Sequence, residues 1–326
     1  MKDWRYWLAE QRGTLIALAI FALMFTIYIA NHPAGLTTNV AQTAANKGTL
    51  LALVAMAQTL VVITAGIDLS VGAILVLTNC VASMVVTGNA FETALGVVFV
   101  LLVGAACGAL NGLIVIYGRL QPIVATIGTG AIFFGIALIL RPLPGGAVNE
   151  TLADAMTGKV FGIVPTSLLM LVAIVVAVWL PFCSSVVGRA AYAAGSSETA
   201  AYMSGMPIRR GKFAAYTLSG LLASAGGLFL TFFTYSGQAS SATASTYTLL
   251  SIAAVVLGGV SLFGGRGSAI GAIFGAFAFR AIGDLMFVFN FDALWQPLFQ
   301  GVILLLAVSI GAIGLWRVRN RLEWFG

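Results

Sequence analysis

The stretch LVVITAGIDLSVGAILVL, residues 60–77, holds one acidic side chain, Asp68, among apolar residues, glycines and hydroxyls. It is the only charge between Lys47 and Glu92. A carboxylate in such surroundings is costly wherever water cannot reach it. The apolar runs on either side are each long enough to cross hydrocarbon, which takes ~20 residues. The stretch therefore reads as a very short turn between two membrane-spanning helices.

Composition extends that reading to the whole chain. Of 326 residues, 60% are hydrophobic and only 8% charged, against roughly 25% charged in soluble domains. Mean hydropathy is +1.04. A soluble fold needs a polar exterior that this composition cannot supply. Ten spans are expected, near 13–31, 46–66, 69–88, 93–117, 121–141, 165–182, 213–235, 246–263, 268–289 and 296–315. The first run suits a span better than a cleavable signal. The expectation is an all-α, polytopic helical bundle forming one membrane domain over 1–326.

The net charge of +6 follows from topology rather than from nucleic-acid binding. With the N-terminus inside, the inner segments hold twelve of the sixteen Lys and Arg, and the outer side holds Lys47, Arg141 and Lys159. Positive residues collect on the cytoplasmic face, so both termini are placed there. Two long connections result: an outer loop 142–164 and a charged inner loop 183–212. Cys80, Cys107 and Cys183 make no metal spacing and read as small buried apolar residues.

A weak internal repeat relates residues 49–75 to 248–274, with nine of 27 positions identical. It aligns Gly66 with Gly265, Gly72 with Gly271, and Asp68 with Gly267. The turn itself therefore does not require a charge. At the start of the third span Asp68 can accept backbone N–H groups near the inner surface, as a helix cap. Direct contact with a substrate is the alternative. Ser268 is expected to cap the ninth span in the same way.

Four segments, in order, carry a resemblance: AGIDLSVGA (65–73), NGLIVIYGRLQPIVATIGT (111–129), AAGSSETAAYMSGMPIRRGKFAAYTLSG (193–220) and VVLGGVSLFGGRGSAIGAIFGA (255–276). Together they resemble the permease subunits of ribose-type sugar ABC importers, a family related to branched-chain amino-acid permeases. The resemblance implies a dimeric permease in the bacterial inner membrane. It also implies cytoplasmic ATPase subunits that bind ATP and Mg, a second permease subunit and a periplasmic substrate-binding protein. This chain has no G-x-x-x-x-G-K-[ST] phosphate loop, so ATP must act through a partner. With one histidine, His32, and no Ser–His–acid set, it offers no catalytic site.

The inner loop has the makings of a docking helix. Ser196 or Ser197 can cap it, Glu198 sits in its first turn, Gly205 ends it, and Pro207 forbids continuation. Thr199, Tyr202, Met203 and Met206 form one stripe, fit for lipid or for a groove on a partner. The positions matching the family's coupling segment are Gly195, Glu198, Ala200, Ala201, Met203 and Gly205; the resemblance favours an ATPase groove, with Tyr202 and Met206 on the same stripe.

Candidates for a substrate pathway are the intramembrane polar residues Gln58, Asn79 and Thr126, with Phe133 as an aromatic face and the charges Arg280 and Asp284. Thr59, Asn111 and Thr129 are further intramembrane polar groups, Phe134, Phe233 and Tyr235 further aromatics. Each alone equally suits helix–helix contact. Arg280 and Asp284 are four apart and are expected to pair. The favoured cargo is a sugar or similar polyhydroxylated molecule. A branched-chain amino-acid permease would need charge complements, which Arg280 and Asp284 could supply. An ion-coupled transporter would carry more ionisable residues in its spans.

Overall fold

The computed structural model describes residues 11–303, together with 305 and 309. Helices follow the apolar runs: α1 (Arg12–Asn31), α2 (Thr38–Val62), α3 (Val71–Val85), α4 (Ala90–Ile116) and α5 (Pro122–Leu140). A short α6 (Glu150–Thr157) and a two-stranded hairpin (Lys159–Val160, Val164–Pro165) lead to α7 (Thr166–Ser184), which contains a π-helical turn at Val175–Trp179. Then come α8 (Val186–Ser196), α9 (Glu198–Met203), α10 (Ile208–Thr234), α11 (Ser241–Leu257) and α12 (Ala269–Val288). The chain is an all-α, multi-pass membrane bundle. The expected tenth span is helical over 296–303, and most of its remainder lies outside the described residues.

Among the described residues, seven helices are long and apolar enough to cross a membrane. Two others are apolar but short: α3 with 15 residues and α11 with 17. At 1.5 Å per residue they measure about 22 and 26 Å, less than the ~30 Å hydrocarbon core. Non-helical chain therefore covers part of the depth beside each, at 63–70 before α3 and 235–240 before α11. Irregular backbone is tolerated at that depth only where protein satisfies its polar groups. α3 is sheathed in this way: nearly all its residues are buried, as are those of the lower two thirds of α2.

The helices approach closely through small residues. A Cβ built on Gly108 would lie 2.2 Å from the Tyr216 carbonyl oxygen, and one on Gly220 2.1 Å from the Gly104 carbonyl oxygen. This is the small-residue seam by which membrane helices gain van der Waals contact without a hydrophobic drive, and it locks α4 to α10.

Several boundaries differ from expectation. α2 starts at Thr38 rather than near 46, because Thr37 caps it by accepting from the Val40 N–H (3.3 Å). Its polar first turns are tied to the outer loop: Gln42 and Asn46 both donate to the Thr157 carbonyl, at 2.7 and 2.8 Å. The 142–164 loop contains α6, capped by Asn149, whose side chain accepts from Leu152 (3.0 Å). Ser268 caps α12, accepting from Ile270 at 3.2 Å.

Candidate functional site

Asp68 is fully buried. Its Oδ1 accepts from the Ser70 N–H (2.8 Å) and the Ser70 hydroxyl (2.6 Å). Ser70 Oγ accepts in turn from Asn111 Nδ2 (2.7 Å) on α4, and Asn111 Oδ1 accepts from Thr129 Oγ1 (2.5 Å) on α5. Thr126 Oγ1 accepts from the Leu69 N–H at 3.0 Å. The Gln58 amide, oriented as its surroundings demand, donates to the Asp68 carbonyl (2.9 Å) and accepts from the Asp68 N–H (3.2 Å). The carboxylate accepts its backbone N–H through an Asx-type turn, but that N–H belongs to Ser70, the residue before the helix, so Asp68 is not the N-cap of α3 as expected, and Ser70 makes no side-chain cap bond. The carboxylate is also the end of a chain of hydrogen bonds running from the 63–70 break through α4 to α5. Its Oδ2 and the buried Tyr216 hydroxyl find no partner among the described residues.

The two halves of the internal repeat meet at their own breaks, 63–70 in the first and 258–268, between α11 and α12, in the second. The Gly265 N–H donates to the Ile63 carbonyl at 2.9 Å. Gly264, in the left-handed region at φ +84°, packs on Ala65, itself at φ +62°. The inner loop is seated on this junction. A Cβ on Gly195 would lie 2.0 Å from the Ile63 oxygen and 2.5 Å from the Gly265 nitrogen, and one on Gly265 would meet Ser196. Tyr192 of α8 donates its hydroxyl to the Gly267 carbonyl at 2.7 Å.

Beyond Gly195 the loop turns outward. Ser197 caps α9, accepting from Ala200 at 3.4 Å, and Gly205 sits at φ +72°. Ala201 packs inward with Ala194 and Ile208, with Met206 against them. Tyr202 and Met203 project, 77% and 83% exposed. Glu198 pairs with Lys212 at 2.6 Å, tying α9 to the start of α10. A groove of about 650 Å³ runs beside them, bordered by Tyr202, Met206, Arg209 and Arg210.

The pathway candidates do not converge. Asn79 donates to Thr231 Oγ1 (2.8 Å) and the Ser236 carbonyl (3.1 Å), and accepts from the Gln238 N–H (2.9 Å), so it holds the 235–240 break. Gln58 and Thr126 hold the 63–70 break. Phe133 is buried in the core, whereas its neighbour Phe134 borders a cavity. The expected Arg280–Asp284 pair is not formed. Asp284 pairs with Lys47 of α2 at 2.9 Å, because α2 packs along α12 and brings a cation from another helix closer. Arg280 borders a second cavity, of about 370 Å³, together with Lys47, Asp284, Tyr28 and His32.

A multi-pass helical bundle with two breaks that meet under an exposed loop has the make-up of a membrane transport subunit. The family model for the permease component of branched-chain amino acid transport systems matches residues 40–308, and the chain belongs to this family. The ribose import permease protein RbsC of Escherichia coli K12 is 33% identical over 310 residues, covering 93% of this chain and 94% of that protein. RbsC of Bacillus subtilis is 33% identical over 90% of each chain. The fructose import permease FrcC of Rhizobium meliloti is 33% identical over 80% of this chain and 74% of its own length. No solved structure matches.

Proposed function

We infer that this chain is the permease subunit of an ABC importer for a sugar or similar polyhydroxylated molecule, a single permease domain in the bacterial inner membrane with both termini cytoplasmic. ATP and Mg belong to partner ATPase subunits, a periplasmic binding protein delivers the cargo, and a second permease subunit completes the channel. The relatives that import ribose and fructose support the cargo class.

One observation carries the mechanism: Gly195 and Ser196 rest on the Ile63–Gly265 junction while Tyr202 and Met203 project from the same loop. A push on α9 by the ATPase is thereby delivered to both breaks at once. The Asp68 hydrogen-bond chain spreads it to α4 and α5. Alternating access needs elements that move as units around a discontinuity, and the two breaks supply it.

The test is Met203→Asp, which places a charge in the apolar contact with the ATPase. Membrane insertion and melting stay at wild-type level, and co-purification of the ATPase is lost. Wild-type co-purification would show that α9 is not the docking element.

A further inference from the structure

Every exposed helix face in a membrane bundle meets lipid, a partner or water. On α4 the exposed large side chains are Leu95, Val98, Phe99, Leu102, Leu110 and Leu113, and on α7 Leu169, Val172 and Val176. These are hydrocarbon, as contact with lipid tails demands. α11 differs. Its exposed residues include Ser241, Ser245 and Thr246.

Those hydroxyls are not at a membrane surface. Gly237 lies against the Ser83 side chain, the Gln238 N–H donates to Asn79, and the Thr248 hydroxyl accepts from the Gly72 N–H at 3.1 Å. The chain from 237 to 248 thus runs down the side of α3, from Ser83 to Gly72. Gly72 is 13 residues from Val85, about 20 Å below that end of α3. Ser245, one turn from Thr248, lies about 15 Å below it, well within the length of α3.

Ser241 and Ser245 border an open cavity of about 370 Å³, walled on one side by Leu69 of the Asp68 break and Ala73 of α3 and on another by Phe134 and Gly130 of α5. That volume is within the range of small-molecule sites. None of its lining residues is ionisable. The Ser245 hydroxyl donates to the Ser241 carbonyl (3.0 Å), leaving its lone pairs to accept. The Ser241 hydroxyl makes no hydrogen bond among the described residues.

We propose that this cavity is a wall of the transport path, and that Ser241 and Ser245 exchange hydrogen bonds with the hydroxyls of an uncharged, polyhydroxylated cargo lying against the Phe134 ring. A zwitterion would leave its charges uncompensated there. The proposal rests on the importer reading and adds the site. It also explains how movement at the junction reaches cargo, since Leu69 is one residue from Asp68 and borders the cavity.

The experiment uses the full chain with its ATPase in vesicles, with Cys183→Ser as background because Cys80 and Cys107 are buried. Ser245→Cys is compared with Val98→Cys, on the lipid-facing side of α4, for reaction with a charged, membrane-impermeant thiol reagent. Ser245→Cys reacts at least tenfold faster, and at least one of ribose, fructose, xylitol and glycerol slows it while leucine does not. Equal rates at the two positions overturn the path. Protection by leucine, or by none of the polyols, overturns the cargo assignment. Failure of the importer reading itself appears separately, as loss of ATPase co-purification with the rate difference intact.

Discussion

Gly195→Ala isolates the seat of the inner loop from its docking surface. An added Cβ would lie 2.0 Å from the Ile63 oxygen, where real contacts do not fall below 3.0 Å, so α8 must withdraw by about 1 Å (3.0 − 2.0). Helix propensity works the other way, since alanine is favoured over glycine by ~1 kcal/mol in a helix interior. Gly195 is one residue from the end of α8, so that gain is smaller. Overpacking costs about 1–3 kcal/mol and prevails, because both atoms met are backbone and have no rotamer to change. Withdrawal also loosens the Gly265–Ile63 hydrogen bond, worth roughly 0.5–1.5 kcal/mol. The Tyr202–Met203 face is untouched. The variant therefore retains its ATPase through purification, melts earlier, and loses transport while ATP hydrolysis continues. Gly301→Ala, where nothing lies within 4 Å, is the control for the substitution itself. Gly195→Ala with wild-type melting and wild-type uptake would refute the seat.

Asp284→Asn strands Lys47, and because the pair is mostly buried the single variant yields less folded protein than Lys47→Gln with Asp284→Asn; adding Arg280→Gln to Asp284→Asn gives no such rescue, and equal rescue by either partner would return Arg280 to the pair. Asp68→Asn keeps an acceptor for the Ser70 N–H and melts close to wild type, Asp68→Ser lies below it, and Asp68→Ala leaves buried donors unpaired, a loss of about 1–3 kcal/mol; a well-folded Asn variant dead in uptake would give the negative charge itself the leading role. The Tyr235 hydroxyl donates to Asp154, and that bond together with the carboxylate charge raises its pKa above the ordinary value. A raised folded-state pKa stabilises the fold below the unfolded value of ~10, and the gain is lost as pH rises through the folded value; Tyr235→Phe therefore melts earlier at neutral pH and has a flatter alkaline limb above about pH 10.

Span existence was legible because it is a local property: ~20 apolar residues cross hydrocarbon whatever surrounds them. The caps of α9 and α12, at Ser197 and Ser268, were legible for the same reason. Depth was not. α3 and α11 are each flanked by apolar coil, so their sequences run on as if full-length spans, and only tertiary contacts show where the helices begin. Partner choice was likewise hidden. Lys47 and Asp284 are 237 positions apart, and the i, i+4 rule offered Arg280 first. Asn111 and Thr129 each stood out as a polar residue in a span, but their connection to Asp68 passes through Ser70, a residue with no distinguishing pattern. The seat of Gly195 was visible only as a resemblance. Ser241 and Ser245 were missed because the eighth span was expected to begin near 246, which left both outside it; the density of hydroxyls in SSATASTYT, 240–248, was the available signal. Asn149 before Glu150 likewise announced α6 inside what reads as a Pro- and Gly-rich loop.

The carboxylate at Asp68 has a physical reason beyond its Asx-type turn. Its aligned partner, Gly267, needs no side chain because Tyr192 donates to the Gly267 carbonyl from the inner loop. The first break has no tyrosine donor at the equivalent point, and it borders α4 and α5 as well as α8, which it meets at the Ile63 carbonyl. Asp68 and Gln58 together satisfy its backbone from within. The two breaks are thus held differently: one by the loop that faces the ATPase, the other by a chain of side chains that ends at Thr129, one residue from the cavity-lining Gly130. A shift of α8 acts on both breaks directly, through Tyr192 at the Gly267 carbonyl and through Gly195 at the Ile63 carbonyl. From the Asp68 break the chain of side chains leads on toward the α5–α11 cavity.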